Sequence, residues 1–144
     1  MLDVWGRVFW VFGTATVVTN KGKGMFADRL RTSPGTYTTS PKFVAMGVGA
    51  TGAARTAVAA DTVLSTETET RVSGTESTVT TTQTGDTYQV TGTITATSNR
   101  AVDEAGLFDA VSTGNMFTSA TFPVINLLSA NPDSIAFTWK AQAA

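Results

Sequence analysis

Apolar and polar residues alternate most cleanly near the end of the chain, in Ser134-Ile135-Ala136-Phe137-Thr138-Trp139-Lys140-Ala141. A period of two places Ile135, Phe137, Trp139 and Ala141 on one face and Ser134, Ala136, Thr138 and Lys140 on the other. That is the pattern of a half-buried strand in an antiparallel sheet. From Thr87 to Thr97 the same alternation turns Tyr88, Val90, Ile94 and Ala96 inward. Thr87, Gln89, Thr91, Thr93, Thr95 and Thr97 then face outward. Ser77 to Gln83 precedes this strand across Thr84-Gly85-Asp86, which reads as a short hairpin loop. Lys42 to Gly49 carries apolar residues on both faces, as a central strand covered on each side does. Ala101 to Ala110 and Met116 to Phe122 flank the turn Ser112-Thr113-Gly114-Asn115. Pro123 interrupts the second of these, which predicts an edge or a bend. Asn131-Pro132-Asp133 turns the chain into its last strand.

Before residue 66 the pattern is less regular. Residues 1–19 form an aromatic, β-prone arm or first strand containing Trp5, Phe9, Trp10 and Phe12. Asn20 is placed to cap a short helix through Arg31, with Met25, Phe26 and Leu30 on one side and Gly22 and Gly24 weakening its first turn. Thr32-Ser33-Pro34-Gly35 ends it. Ala50 to Ala60 is small and Gly/Ala/Thr-rich, a surface loop, and Asp61-Thr62-Val63-Leu64 predicts one capped helical turn. Together these elements predict a mainly β protein: an antiparallel, jelly-roll-like β-sandwich over residues 20–144, with one short helix near 20–31 and an extended N-terminal arm.

Composition changes the picture in one respect. Charged residues make up 15% of the 144, well below a soluble domain's usual quarter, while threonine occurs 28 times. Threonine is β-branched and favours pleated surfaces, and a weakly charged surface suits a protein partly covered by neighbours. A net charge of −1 supplies no field for a nucleic-acid backbone. The one basic cluster, Lys21, Lys23, Arg29 and Arg31, reads as a solvated face. Val8 to Val18 is too short to cross a bilayer as a helix and has no small-x-small cleavage site after it, so it reads as a strand or arm.

Candidate chemistry is sparse. With no histidine and no cysteine, the usual serine triad and thiolate metal sites cannot form. Asp103 and Glu104 are the best acid pair, but neighbours in a strand point to opposite faces and cannot flank one glycosidic bond. A buried acceptor role, satisfied by backbone amides or a hydroxyl, fits one of them better. Gly47-Val48-Gly49-Ala50-Thr51-Gly52 has dinucleotide-loop spacing without the parallel βαβ context. Thr66-Glu67-Thr68-Glu69 is a faint calcium-loop pattern that reads better as a solvated strand end. The outward ladder Thr91-Thr93-Thr95-Thr97 follows from β-propensity. The expectation is therefore a non-enzymatic protein with no cofactor and no metal. Trp5, Phe9, Trp10 and Phe12 are its candidate protein-interface residues, because large aromatics dominate contact energetics.

Several segments resemble a family of tailed-bacteriophage virion proteins. They are Val18-Thr19-Asn20-Lys21-Gly22-Lys23-Gly24-Met25-Phe26-Ala27-Asp28-Arg29-Leu30, Pro41 to Gly49, and Val102-Asp103-Glu104-Ala105-Gly106-Leu107-Phe108-Asp109-Ala110. Gly114 to Phe117, Phe122 to Asn126 and Asp133 to Trp139 extend the likeness to about residues 18–141, with Glu104-Ala105-Gly106-Leu107-Phe108 its most specific part. Members are described as tail-fibre, minor structural or capsid-decoration proteins. A compact chain without fibrous repeats or a coiled-coil stem fits a decoration (cement) protein best. The resemblance implies a place on the outer capsid surface, reached from the host cytoplasm during assembly. It implies the major capsid protein as partner and a homo-oligomer, a trimer, with no direct nucleic-acid or membrane contact. A tail or neck component such as a fibre-base or adaptor domain is the alternative, and a glycan-binding module a more distant one.

Overall fold

The computed structural model describes residues 2–3, 6–11, 16–30, 35–49 and 56–142, with side chains from residue 17 onward. Two five-stranded sheets pack face to face as a β-sandwich. The first runs β1 (Leu2–Asp3), β2 (Gly6–Val11), β10 (Ser134–Gln142), β7 (Thr87–Thr95), β6 (Thr75–Val79). The second runs β3 (Thr16–Val18), β9 (Met116–Leu127), β8 (Arg100–Phe108), β4 (Phe43–Gly47), β5 (Glu67–Ser73). All pairings are antiparallel except β2 with β10, which run parallel, Phe9 opposite Ile135 and Trp10 opposite Ala136. The predicted arm is thus a strand, laid along the edge that β10 would otherwise leave open.

The alternation of the last strand does what its period requires. Ile135, Phe137 and Trp139 are buried and meet Val90 and Ile94 from β7. From the facing sheet come Val44 and Met46 of β4, Val102 and Leu107 of β8, and Phe117 and Phe122 of β9. The mixed faces of β4 are explained by a second cluster on the far side of its sheet. There Ala45, Phe108 and Met116 pack under Leu64, so β4 and β8 are covered on both faces.

Pro123 sits in a long strand without ending it. The register of β9 against β8 jumps from Thr121–Glu104 to Ile125–Val102, and β3 covers β9 only at residues 118–120. Proline's missing N–H therefore falls in a bulge, where a ladder bond is already lost.

Several expectations are corrected. The helix, α1, spans Asn20–Arg29 and is capped by Thr19, whose hydroxyl accepts from Gly22 N at 3.0 Å and donates to the Met116 carbonyl. Thr19 wins over Asn20 because it is fully buried against β9, and Asn20 becomes the first helical residue. Gly22 follows from the same docking: a Cβ there would stand 2.1 Å from the Phe117 carbonyl oxygen. Leu30 lies outside the buried face formed by Gly22, Met25 and Asp28. Asp61 to Leu64 forms no helical turn; Asp61 instead accepts from Val58 N and Ser119 Oγ.

The predicted short hairpin is a longer loop, residues 80–86. Asp86 gathers the amides of Thr81, Thr82 and Gln83 at 2.8–2.9 Å and folds the chain before β7 begins. Thr87, expected outward, is buried, its hydroxyl held by Thr81 and Asp86.

Candidate functional site

The acid pair belongs to the β8–β4 seam. Asp103 and Glu104 are 2% and 0% exposed. Asp103 accepts from the amide of Gly49. Glu104 accepts from the amides of Ser65 at 2.6 Å and Thr66 at 3.3 Å, and from the Ser65 hydroxyl at 3.3 Å. Both carboxylates, rather than one, anchor loop backbone to the sheet.

The glycine motif exists for the same reason. A Cβ on Gly47 would lie 2.8 Å from Glu104 Oε1, and one on Gly49 would lie 2.5 Å from Asp103 Oδ2. Gly47 and Gly49 make room for two carboxylates of the chain itself. Residues 50–52, the rest of the motif, lie outside the described residues.

The faint calcium pattern is also accounted for. Glu67 takes both Nε and Nη2 of Arg71 at 2.8 and 2.9 Å. Arg71 is buried, donates to the carbonyls of Ala110 and Thr113, and stacks 3.4 Å over the Phe108 ring. Glu69 sits in a β5 bulge with φ 58° and meets Thr97 and Arg100. Burial opposes its ionisation, yet the hydrogen bonds from Thr97 and Arg100 and the arginine's charge outweigh it, so its carboxyl lies below the usual range. The strand end is solvated at Glu67, as expected, but both glutamates are engaged in ion pairs and the side chain of Glu69 is buried. No group of three or more acidic, histidine or cysteine side chains converges as a metal site among the described residues.

One feature is open to a partner. Between α1, β9 and the ends of β7 and β10 lies a cleft of about 260 Å³ lined by Phe26, Tyr88, Leu107, Phe117, Trp139 and Lys140, among others. Phe26 packs obliquely on Phe117 at 5.2 Å between ring centres, yet keeps 44% of its surface exposed. Leu30, one turn further along α1, is 89% exposed. Phe26 lines the cleft, and Leu30, the residue that caps α1, adds exposed apolar surface at the end of the same helix.

On its wall, the buried indole N–H of Trp139 has no hydrogen-bond partner among the described residues, at a cost of about 1–3 kcal/mol. The Tyr88 hydroxyl donates to Glu76 at 2.8 Å, with the Pro41 carbonyl oxygen a second acceptor within reach at 3.1 Å. Burial, and then the Glu76 carboxylate beside it, push the phenol well above its ordinary pKa, so it remains a neutral donor.

Of the interface residues expected from the sequence, Trp5 and Phe12 lie outside the described residues. Phe9 and Trp10 are described in backbone only, as members of β2. Lys21 and Lys23 are exposed as expected; Arg29 donates to the Thr38 carbonyl, and Arg31 lies outside the described residues. The cleft itself was missed. Its aromatics come from residues 26, 88, 117 and 139, and no local pattern joins them.

No family model, curated protein or solved structure matches this chain. No helix among the described residues is long and apolar enough to cross a membrane.

Proposed function

We propose that this chain is a structural protein of a tailed-bacteriophage virion, a capsid decoration (cement) protein that bridges major capsid subunits on the outer surface. The observation that carries the reading is how its side chains are used. The segment most specific to the resemblance, Glu104 to Phe108, lies in the buried β8, where Glu104 fixes loop backbone to the sheet and Ala105, Leu107 and Phe108 pack in the core. Apolar surface is left exposed on Phe26, which lines an open cleft, and on Leu30 at the end of the same helix. The first arrangement supports a rigid body, and the second supports attachment.

The mechanism is burial. Apolar surface removed from water contributes about 25 cal/mol per Å². Phe26 and Leu30 offer such surface beside a cleft able to receive an apolar side chain from a capsid subunit. Repetition over the shell turns modest single contacts into a strong collective one through multivalency. The bridging opposes the outward pressure of packaged DNA.

Cosedimentation with DNA-free expanded capsids tests this directly, and a chain that stays in the supernatant sinks it. Copy number separates decoration from a tail or neck component: many copies spread over the shell favour the first, a few at one vertex the second. The aromatic cleft also gives the glycan-binding alternative a foothold, although no carboxylate is among the residues that line it.

A further inference from the structure

Sheet edges are sites of unwanted association unless they are short, bulged or charged. Three of the four outer strands among the described residues are short or bulged, with Val8–Val11 of β2 extending past β1. β1 has two residues, β3 has three, and β5 is broken by the bulge at Glu69. β6 is different. Thr75-Glu76-Ser77-Thr78-Val79 pairs with β7 residue for residue, without a register shift, and contains no proline or lysine. Four of its five residues are exposed. Its far edge presents backbone N–H and C=O groups at alternate positions, which only another extended strand satisfies in full.

We propose that β6 pairs with β6 of a second copy of this chain, antiparallel about a two-fold axis through Ser77. In that register Ser77 faces Ser77 of the partner subunit, and Thr75 faces Val79 of the partner subunit. Glu76, the one charged residue of the strand, faces Thr78 of the partner subunit. Hydroxyl and carboxylate groups then meet, and no like charges stand opposite one another. Moving the axis to Glu76 would set the two carboxylates face to face, whereas the Ser77 register avoids this and pairs all five residues of both strands. Lys42, 3.6 Å from Glu76, neutralises the same spot from within each subunit. The two first sheets join into one continuous sheet. This inference does not rest on the capsid reading, and its two-fold dimer departs from the trimer that the resemblance implies.

The test is sedimentation equilibrium over a concentration series, with hydrogen exchange on the same samples. A monomer–dimer equilibrium is expected, with β6 amides gaining protection as concentration rises. Thr78→Glu sets carboxylates opposite Glu76 at both symmetric positions and should raise the dimer Kd about fivefold or more. Thr78→Lys should lower it or leave it unchanged. Both substitutions are on an exposed strand, and circular dichroism checks that the fold is retained. A monomer at every concentration, a trimer, or equal weakening by both substitutions overturns the pairing.

Discussion

Gly49 donates its amide to the carboxylate of Asp103, a residue 54 positions away, and lies so close that a Cβ would stand 2.5 Å from Asp103 Oδ2. The hydrogen bond and the missing side chain are one feature. A methyl group at 49 would push the carboxylate off the amide that solvates it.

Gly49→Ala is therefore expected to cost about 1–3 kcal/mol through overpacking, read as a lower urea midpoint at unchanged slope. The cause is separable by a double-mutant cycle with Asp103→Ala. If the carboxylate is what the methyl meets, the cost of Gly49→Ala shrinks in the Asp103→Ala background. Strict additivity would place the cost elsewhere.

This pair also marks where sequence reading stops. The alternation of Ile135, Phe137 and Trp139 is a local property, so the last strand was legible, as was central β4; Pro123 marked an irregularity, but the strand runs on through it. A buried acceptor in Asp103-Glu104 was legible because a carboxylate in an apolar strand has to be satisfied. That both are acceptors, and that Gly47 and Gly49 are their receptors, depends on β4 lying beside β8. The cap at Thr19, the long loop held by Asp86 and the parallel β2–β10 pair likewise arise from contacts that local pattern does not encode. So does the cleft, whose four rings come from four different elements.

Arg71 ties the bulged β5 to the turn after β8. It is buried, forked onto Glu67, stacked on Phe108 and bound to two carbonyls. Arg71→Ala is expected to cost about 2–4 kcal/mol, below the full figure for a buried pair because Glu67 is partly solvated. Arg71→Lys keeps the charge without the planar fork and should recover only part of this. Equal stability of the lysine and wild-type chains in thermal unfolding would contradict the account.

Asp86 predicts an acid response. Backbone amides, Gln83 first and then Thr81 and Thr82, hold its carboxyl far below the usual range. A lowered folded-state pKa means that the unfolded chain takes up its proton first. The group's contribution is thus present above the ordinary aspartate value of about 3.9 and is lost as pH falls from there through the depressed folded pKa. In Asp86→Asn the fall in urea midpoint below that pH should be shallower than in the wild type. A wild-type carboxyl titrating at or above the ordinary value by carbon-detected NMR would refute it.

Deleting residues 1–12 removes β2 and uncovers β10 at Ser134–Phe137. A free arm would leave stability unchanged. A strand in the sheet predicts a lower urea midpoint and concentration-dependent aggregation, because the new edge is long and apolar on one face. An unchanged midpoint with monodisperse light scattering would restore the arm reading.

Phe26 and Leu30 distinguish attachment from folding. Leu30 is almost fully exposed, so Leu30→Glu should alter stability by no more than about 0.5 kcal/mol. Phe26 contributes through its contact with Phe117, and Phe26→Ser should carry a modest cost on that account. If the exposed apolar surface of Phe26 and Leu30 seats against a capsid subunit, either change places a polar group in an apolar contact, and cosedimentation with expanded capsids should fall several-fold while the circular dichroism spectrum and urea midpoint stay close to wild type. The combined variant should fall further, since the two side chains lie one helical turn apart on one face. Undiminished capsid binding by a folded double variant would move the attachment surface away from α1, with β2 and the β6 edge the next surfaces to examine.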